Sequence, residues 1–412
     1  MATNAPDQRS VGTATVLADA AEALAAADDL AGELRVGAAE RDASGTVPWE
    51  AIGLLDASGL LAIDVPAEHG GIDGGPVLVA EVVRRIAVAD PAIAQLTQGH
   101  FFLVDVVGLI GGPDLCAEVF AAVLAGRRLG NGLAERGSKH AQDLRTRLHG
   151  DRAGGGELSL TGVKSYGTGS LSSAMLGVTA LDDDEELVLV VIPSDAPGVS
   201  FDEEWYAMGQ RATISGGTTL QGVRVEPDHV LAWGDLIAEP QLVGARAQLT
   251  HAAIEVGIGR AALDDAAWFL REKARPFFEP VRRGLFEDAV DDPYALHRIG
   301  RLRARVRAAE ALLGVAAAEL AALGPVPADE VESAAGSLAV AEVKAFASEV
   351  AVEAGSELFA VSGASSTDRR LGLDRHWRNA RTHSIHDPID WKYHHLGAHA
   401  VDGRLPPSHG QL

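Results

Sequence analysis

The chain is poor in sulfur, in aromatic rings and in positive charge. Among 412 residues there is one cysteine, Cys116, and three methionines. A lone cysteine excludes an internal disulfide framework and any metal site built on cysteine pairs. Scarce sulfur has two readings: an alanine-rich, GC-rich coding background, or a protein made when sulfur is limiting. Lys and Arg number 35 against 58 Asp and Glu, a net charge of −23. That balance argues against nucleic acid and anionic membranes as partners. No run of 18 or more wholly apolar residues occurs, which argues against a membrane span. Met1–Gln8 has no basic region leading into an apolar run, so no secretory signal is visible and a cytoplasmic location is expected. P-loop and Gly-x-Gly-x-x-Gly fingerprints are absent, as is a Gly-x-Ser-x-Gly elbow. A P-loop NTPase, a Rossmann nicotinamide domain and an α/β-hydrolase nucleophile are therefore disfavoured.

What is present falls into three blocks. Residues 15 to 127 carry helical spacing and strong helix formers, with turns at Ala43–Thr46 and His69–Pro76. From about Gly130 to 245 the text becomes strand-like, as in Leu187–Pro193 and Thr218–Val225, with Asp182–Glu186 a solvated hairpin tip. From 246 onward long Ala/Leu/Glu/Arg runs return, broken at 323–331 with Asp329 as an N-cap. The order helices, strands, helices predicts an α+β multi-domain chain rather than a βαβ sheet. The expected divisions are an N-terminal helical domain (1–127), a middle β-barrel or sandwich domain (128–245) and a C-terminal helical domain (246–412).

Three Gly-rich stretches lie in the β block: Gly130–Ser138, Gly162–Ser170 and Trp205–Thr218. A fourth stretch, Asp374–Gly397, holds three arginines, five histidines and two tryptophans. Groups able to bind an anion, move a proton and line an aromatic pocket stand side by side there. In this order the stretches resemble the acyl-CoA dehydrogenase superfamily, where the first three wall a flavin ring. Trp377–Pro388, then Trp391–His394, then Asp402–Pro407, narrow the likeness to its flavin-dependent monooxygenase branch. The sulfur-acquisition oxidoreductases of the SfnB type and the dibenzothiophene monooxygenases are the models. The resemblance runs over nearly the whole chain. It implies an acyl-CoA dehydrogenase-like fold with a C-terminal four-helix bundle and a homo-oligomer, a dimer of dimers. It also implies FMN, delivered as FMNH2 by a separate reductase through diffusion, with FAD less favoured.

The implied activity is insertion of one oxygen atom into a small organosulfur or heteroaromatic compound through a flavin C(4a)-hydroperoxide. Such an adduct needs a dry cavity, an aromatic wall, a phosphate clamp and a proton-exchanging group. By resemblance, His386 exchanges the proton, and histidine suits that task because it titrates near neutral pH. Asn131 faces the flavin edge and Trp205 packs the ring. Arg271 and Arg275, spaced i,i+4 on one helix face, resemble the segment that reaches the phosphate across a dimer. Arg378 and Arg381 are further phosphate candidates, with salt bridges as their alternative. Relatives carry a hydroxyl where this chain has Gly167. Ser165, Thr168 or the N–H of residue 167 or 168 must then serve, and Ser165 also opens space beside the ring. Gln98, His100 and Phe101 are expected to line the substrate pocket, with ordinary packing as the alternative.

His383 reads as structural. His383, His386 and Asp387, with His394 and His395 beyond, could hold iron or zinc, but the flavin likeness accounts for the same residues and no metal is expected. Two other functions stay open. In an acyl-CoA dehydrogenase with FAD, Asp387 would fall on the position of the base, shorter than the usual glutamate by one methylene. A flavin- or CoA-binding protein without chemistry is the third, favoured only by Gly167.

Overall fold

The computed structural model describes residues 14–137, 139, 143–151 and 156–408. Met1–Gln8, read above for a signal, and Ser138, the end of the first Gly-rich stretch, lie outside the described residues.

Among the described residues seven α-helices come first: α1 (Ala20–Arg35), α2 (Ala38–Ser44), α3 (Trp49–Ala57), α4 (Gly75–Ala89), α5 (Pro91–Gln95), α6 (Gln98–Ile110) and α7 (Pro113–Leu124). Local chemistry sets their ends. Asp19 and Asp90 each accept two main-chain N–H groups at the starts of α1 and α5, caps worth about 1 kcal/mol each. Pro91–Ile110 is apolar and long enough to cross a membrane by composition. It is broken between α5 and α6, and 72% of that window is buried inside the protein. It serves as core.

The strands are β1 (Leu129–Gly132), β2 (Arg147–His149), β3 (Leu158–Lys164), β4 (Met175–Leu181), β5 (Leu187–Pro193), β6 (Val199–Phe201), β7 (Thr218–Val225) and β8 (Val230–Leu231). All join one sheet in the order β6-β7-β3-β2-β4-β5-β8, with β1 parallel to β4. Alternate residues of both halves, such as Leu160 and Val223 on one side and Val178 and Val190 on the other, meet in a single apolar core, as the period-2 pattern requires. The tip at 182–186 is exposed except for Asp182, whose carboxylate accepts from the N–H groups of Asp184 and Glu186.

The last block holds α8 (Trp233–Ala238), α9 (Val243–Glu272), α10 (Phe278–Arg282), α11 (Pro293–Leu323), α12 (Glu330–Ser362), α13 (Asp374–His383) and α14 (Ile389–Asp402). Asp329 caps α12 as expected. Helix α9 is buried almost all round, packed on α12, α4, α11, α6 and α13. A helix apolar on every side belongs in a core. Gly355 of α12 lets α13 come close: a Cβ there would stand 2.7 Å from Trp377 Cα. That approach seats the histidine-rich run against the bundle.

One expectation fails here. Arg271 and Arg275 do not share a helix face, because α9 ends at Glu272. Pro276 disfavours helical backbone at Arg275, and the chain leaves the helix before it.

Candidate active site

The site is built from two walls. The first belongs to the β block. Asn131 lies on β1, buried, with its amide against Gly99 of α6; a Cβ on Gly99 would meet Asn131 Nδ2 at 2.4 Å. Its carbonyl accepts from Ser170 Oγ at 2.6 Å. Thr168 Oγ1 lies 2.7 Å from Ser215 Oγ, which lies 2.8 Å from Thr213 Oγ1. Thr213 Oγ1 and the indole N–H of Trp205 both donate to the Gln210 carbonyl at 2.8 Å. The Gln210 N–H donates to Asn379 Oδ1 of α13 at 2.6 Å. Asn131, Gly167, Thr168 and Trp205 therefore stand along one connected wall, tied at its end to the C-terminal helices.

Gly167 explains itself once the wall is seen. A Cβ there would stand 2.9 Å from Ser170 Oγ and 3.3 Å from the Asn131 carbonyl. Ser170 Oγ, three residues on, borders the space that a side chain at 167 would enter. The N–H groups of Gly167 and Thr168 are bonded to the carbonyls of Gly216 and Tyr166. Ser165 is buried, and its N–H donates to the Ala134 carbonyl.

The second wall is a train of ionisable groups from four helices and a turn. His386, in the turn after α13, has a side chain 47% exposed, and its Nδ1 lies 3.2 Å from Asp387 Oδ1. Its ring stacks at 4.2 Å on His251 of α9. Nδ1 of His251 lies 3.1 Å from Nε2 of His383. That same His383 nitrogen is 2.9 Å from Gln95 Oε1 of α5, and its Nδ1 is 3.0 Å from Glu255 of α9. Glu255 pairs with Lys344 of α12 at 2.7 Å and accepts from Ser348 at 2.6 Å. Lys392 of α14 pairs with Asp387 at 2.8 Å.

Burial sets the protonation of these groups, moderated by their neighbours. It drives His251 well below the usual histidine range, helped by the charges of His386, His383 and Lys344. It lowers His383 too, against the pull of Glu255. For Glu255 burial works upward, but Lys344 and His383 outweigh it and hold the carboxyl below its usual range. Asp387 follows the same logic: burial opposes, while His386, Lys344 and Lys392 keep it firmly ionised. A carboxylate held charged this strongly is a weak base.

The other expected residues separate. His100 is wholly buried. Its Nδ1 accepts from the Leu129 N–H at 3.2 Å and its Nε2 lies 2.8 Å from the Leu61 carbonyl. Both nitrogens thus hold α6 to the main chain, and burial pushes its pKa down to about 4. Phe101 faces a small cavity lined also by Phe102, Asp105 and Arg246, and Gln98 opens α6, half-buried. Arg378 is committed to Asp42, Asp374 and the Met208 carbonyl. Arg381, one turn along α13, is half-buried and has no ion pair among the described residues. Arg271 and Arg275 are exposed. Arg271 is 20 residues along α9 from His251, a rise of about 30 Å, too far to serve the site of its own chain.

The residues unread in the sequence are His251, Glu255, Lys344, Gln95 and Gln210. Glu255 did leave a trace, the lone charge between Arg246 and Arg260 in an apolar helical stretch, whereas Lys344 follows Glu342 by two residues. Several polar atoms here have no partner among the described residues: both amide atoms of the buried Gln210, Gln248 Oε1 and Thr382 Oγ1. Gln248 precedes His251 by three residues, on the same face of α9. Unpaired buried polar groups are costly, so these fit a polar ligand held between the walls.

Comparison with known proteins gives the ancestry. The N-terminal and C-terminal domain models of acyl-CoA dehydrogenases match residues 19–127 and 249–391. A dibenzothiophene monooxygenase of Rhodococcus erythropolis is 32% identical over 400 residues, covering 93% of this chain and 94% of the relative. The chain belongs to the acyl-CoA dehydrogenase family, on its monooxygenase branch. The probable FMNH2-dependent monooxygenase SfnC of Pseudomonas putida is also 32% identical, over 93% of this chain and 96% of its own. The FMN-bound structure of TdsC from Paenibacillus sp. A11-2 superposes with a TM-score of 0.89 at 30% identity, over 95% of this chain and all of that one. The family explains the block order and the Gly-rich stretches together.

Proposed function

We propose that the protein is a two-component monooxygenase that takes FMNH2 from a separate flavin reductase and transfers one oxygen atom from O2 to a small organosulfur or heteroaromatic compound. The observation that carries this reading is the pairing of the two walls. Gln210, buried with both side-chain amide atoms unpartnered among the described residues, bonds Asn379 of α13 through its main-chain N–H, and this ties the hydroxyl- and tryptophan-lined β wall to the helix that leads into His386 and the buried charges behind it. The names and cofactor of the relatives point the same way.

Bound reduced flavin supplies the reactivity toward O2. The chain's own residues do the rest. Trp205 and Asn131 bound the ring. Thr168, with Ser165 nearby, offers hydroxyls at its edge. Gln210 presents both a donor and an acceptor, the pattern that matches an N–H/C=O edge such as that of a flavin pyrimidine ring. His386 exchanges the proton. Arg381, without an ion pair among the described residues, is the cation of α13 for the phosphate, while Arg271 and Arg275 act only across a subunit boundary.

Phe277, Phe278, Leu285 and Tyr294, around the link from α9 to α11, are exposed, as is Trp391 on α14. Apolar residues gathered this way mark an interface, here with further copies of the chain in a dimer of dimers. The dehydrogenase alternative is weakened by Asp387, whose oxygens are held by His386 and Lys392.

The test supplies purified protein with a flavin reductase, NADH, FMN and labelled O2, and screens sulfones, sulfoxides and thiophenes by mass spectrometry. The expected product carries one labelled oxygen and needs FMN. Flavin reduction by an acyl thioester, with no labelled product, would reverse the reading in favour of the dehydrogenase.

A further inference from the structure

Three hydroxyls of the β wall settle between them which way their hydrogens point. Thr168 Oγ1, Ser215 Oγ and Thr213 Oγ1 follow one another at 2.7 and 2.8 Å, and Thr213 Oγ1 lies 2.8 Å from the Gln210 carbonyl. Two oxygens this close need a hydrogen between them, and each hydroxyl brings one. Three contacts therefore consume three hydrogens. The carbonyl can only accept, and it also takes the Trp205 indole N–H. So Thr213 donates to the carbonyl, Ser215 to Thr213 and Thr168 to Ser215. No other arrangement fills all three contacts. Thr168 is left with lone pairs and no hydrogen to offer. Its neighbours are engaged too: the N–H groups of Gly167 and Thr168 donate to the carbonyls of Gly216 and Tyr166, and Ser170 Oγ donates to the Asn131 carbonyl. Ser215 and Thr213 are buried and Thr168 is half-buried, so of the three Thr168 is the one open to a ligand.

Resting on the reading that Thr168 lines the flavin cavity, we propose that Ser215 and Thr213 are positioning residues that fix the Thr168 hydroxyl as a hydrogen-bond acceptor. This part of the wall then takes a ligand N–H and disfavours a ring nitrogen without hydrogen. Reduced isoalloxazine carries hydrogen on ring nitrogens that are bare acceptors in the oxidised ring. An acceptor-only hydroxyl pairs with the first and sets lone pair against lone pair with the second. The hydroxyl chain thereby separates FMNH2 from oxidised FMN by one hydrogen bond, made in one case and denied in the other. One net hydrogen bond corresponds to about 2- to 10-fold in affinity.

Anaerobic isothermal titration calorimetry of the full-length protein with FMN and with dithionite-reduced FMN gives two dissociation constants. Their ratio, oxidised over reduced, is the readout. Ser215→Ala frees the Thr168 hydrogen, so FMN should bind more tightly, FMNH2 should change little, and the ratio should fall about 2- to 10-fold. Thr213→Val leaves Ser215 with Thr168 as its hydroxyl acceptor, turns that pair round and should lower the ratio likewise. Thr168→Val should lower it by weakening FMNH2 while sparing FMN. Melting temperatures verify that each variant is folded. An unchanged or raised ratio in folded Ser215→Ala or Thr213→Val overturns the proposal, because hydroxyls that only support the loop would weaken both forms alike. Thr168→Val losing FMN at least as much as FMNH2 overturns it too. Binding of neither form by the wild type removes the functional reading and the proposal together, whereas binding of both with an unmoved ratio in the variants removes the proposal alone. A lowered ratio without oxygenation of any organosulfur compound upholds the acceptor role of Thr168 and removes the oxygenase reading.

Discussion

Lys344→Met tests the buried charge network most directly. Lys344 and Glu255 are fully buried, 2.7 Å apart. With an effective dielectric of about 20, their attraction is roughly 6 kcal/mol. Desolvation of both ions offsets much of this, so the pair adds little net stability. Removing one partner is different, because the other charge stays buried. Such a change costs about 3–5 kcal/mol, a large share of the roughly 5–15 kcal/mol that stabilises a native domain. His383 also faces Glu255 Oε1, at 3.0 Å. In the variant it can take up a proton and replace part of the lost charge. That raised affinity gives stability present at low pH and lost as pH rises through the new His383 pKa. The penalty should therefore be smaller near about pH 6 than near about pH 8. Urea unfolding followed by tryptophan fluorescence and circular dichroism at both pH values measures it. Glu255→Gln combined with Lys344→Met removes both charges and should recover most of the loss. A single-variant cost below about 1 kcal/mol at the higher pH, or a double variant as unstable as the single, would refute the reasoning.

His386→Ala should lower oxygenation by about 10²–10⁴-fold, the usual contribution of a general acid–base group, while FMN affinity by fluorescence quenching stays within threefold or so. Gly167→Ser should disturb the Ser170–Asn131 contact, costing roughly 1–2 kcal/mol in thermal or urea unfolding; Gly167→Ser with Ser170→Ala should recover it. His100 makes the fold acid-sensitive. Its folded pKa, about 4, lies below its unfolded value near 6.5, so its contribution is intact above about pH 6.5 and fades as pH falls toward 4. The loss is at most about 3 kcal/mol, and His100→Gln should show a shallower decline of urea-unfolding stability over that window. Arg378→Ala should loosen the loop carrying Trp205 and Gln210, since Arg378 bonds the Met208 carbonyl. Weaker FMN binding by titration, with turnover at saturating flavin largely kept, is the outcome that checks it.

The sequence by itself determined the order of helices and strands, the caps at Asp329 and the 182–186 turn, and the family likeness of the Gly-rich and histidine-rich stretches. These depend on period, turn chemistry and short spacing, all local in the chain. It also placed Arg271 and Arg275 on one face, which failed because Pro276 acts on the residue before it and overrides a spacing rule. Tertiary structure alone decided where each histidine sits and what it touches. His100, taken as a pocket residue, became a main-chain clamp, and His383, taken as structural, came to lie between Glu255, 128 residues away, and His251, 132 residues away. The reason is physical: a charged or titratable side chain on an alanine-rich helix reads as solvent-facing until packing removes the water. Only then do burial and a partner from a distant element fix whether it carries a proton.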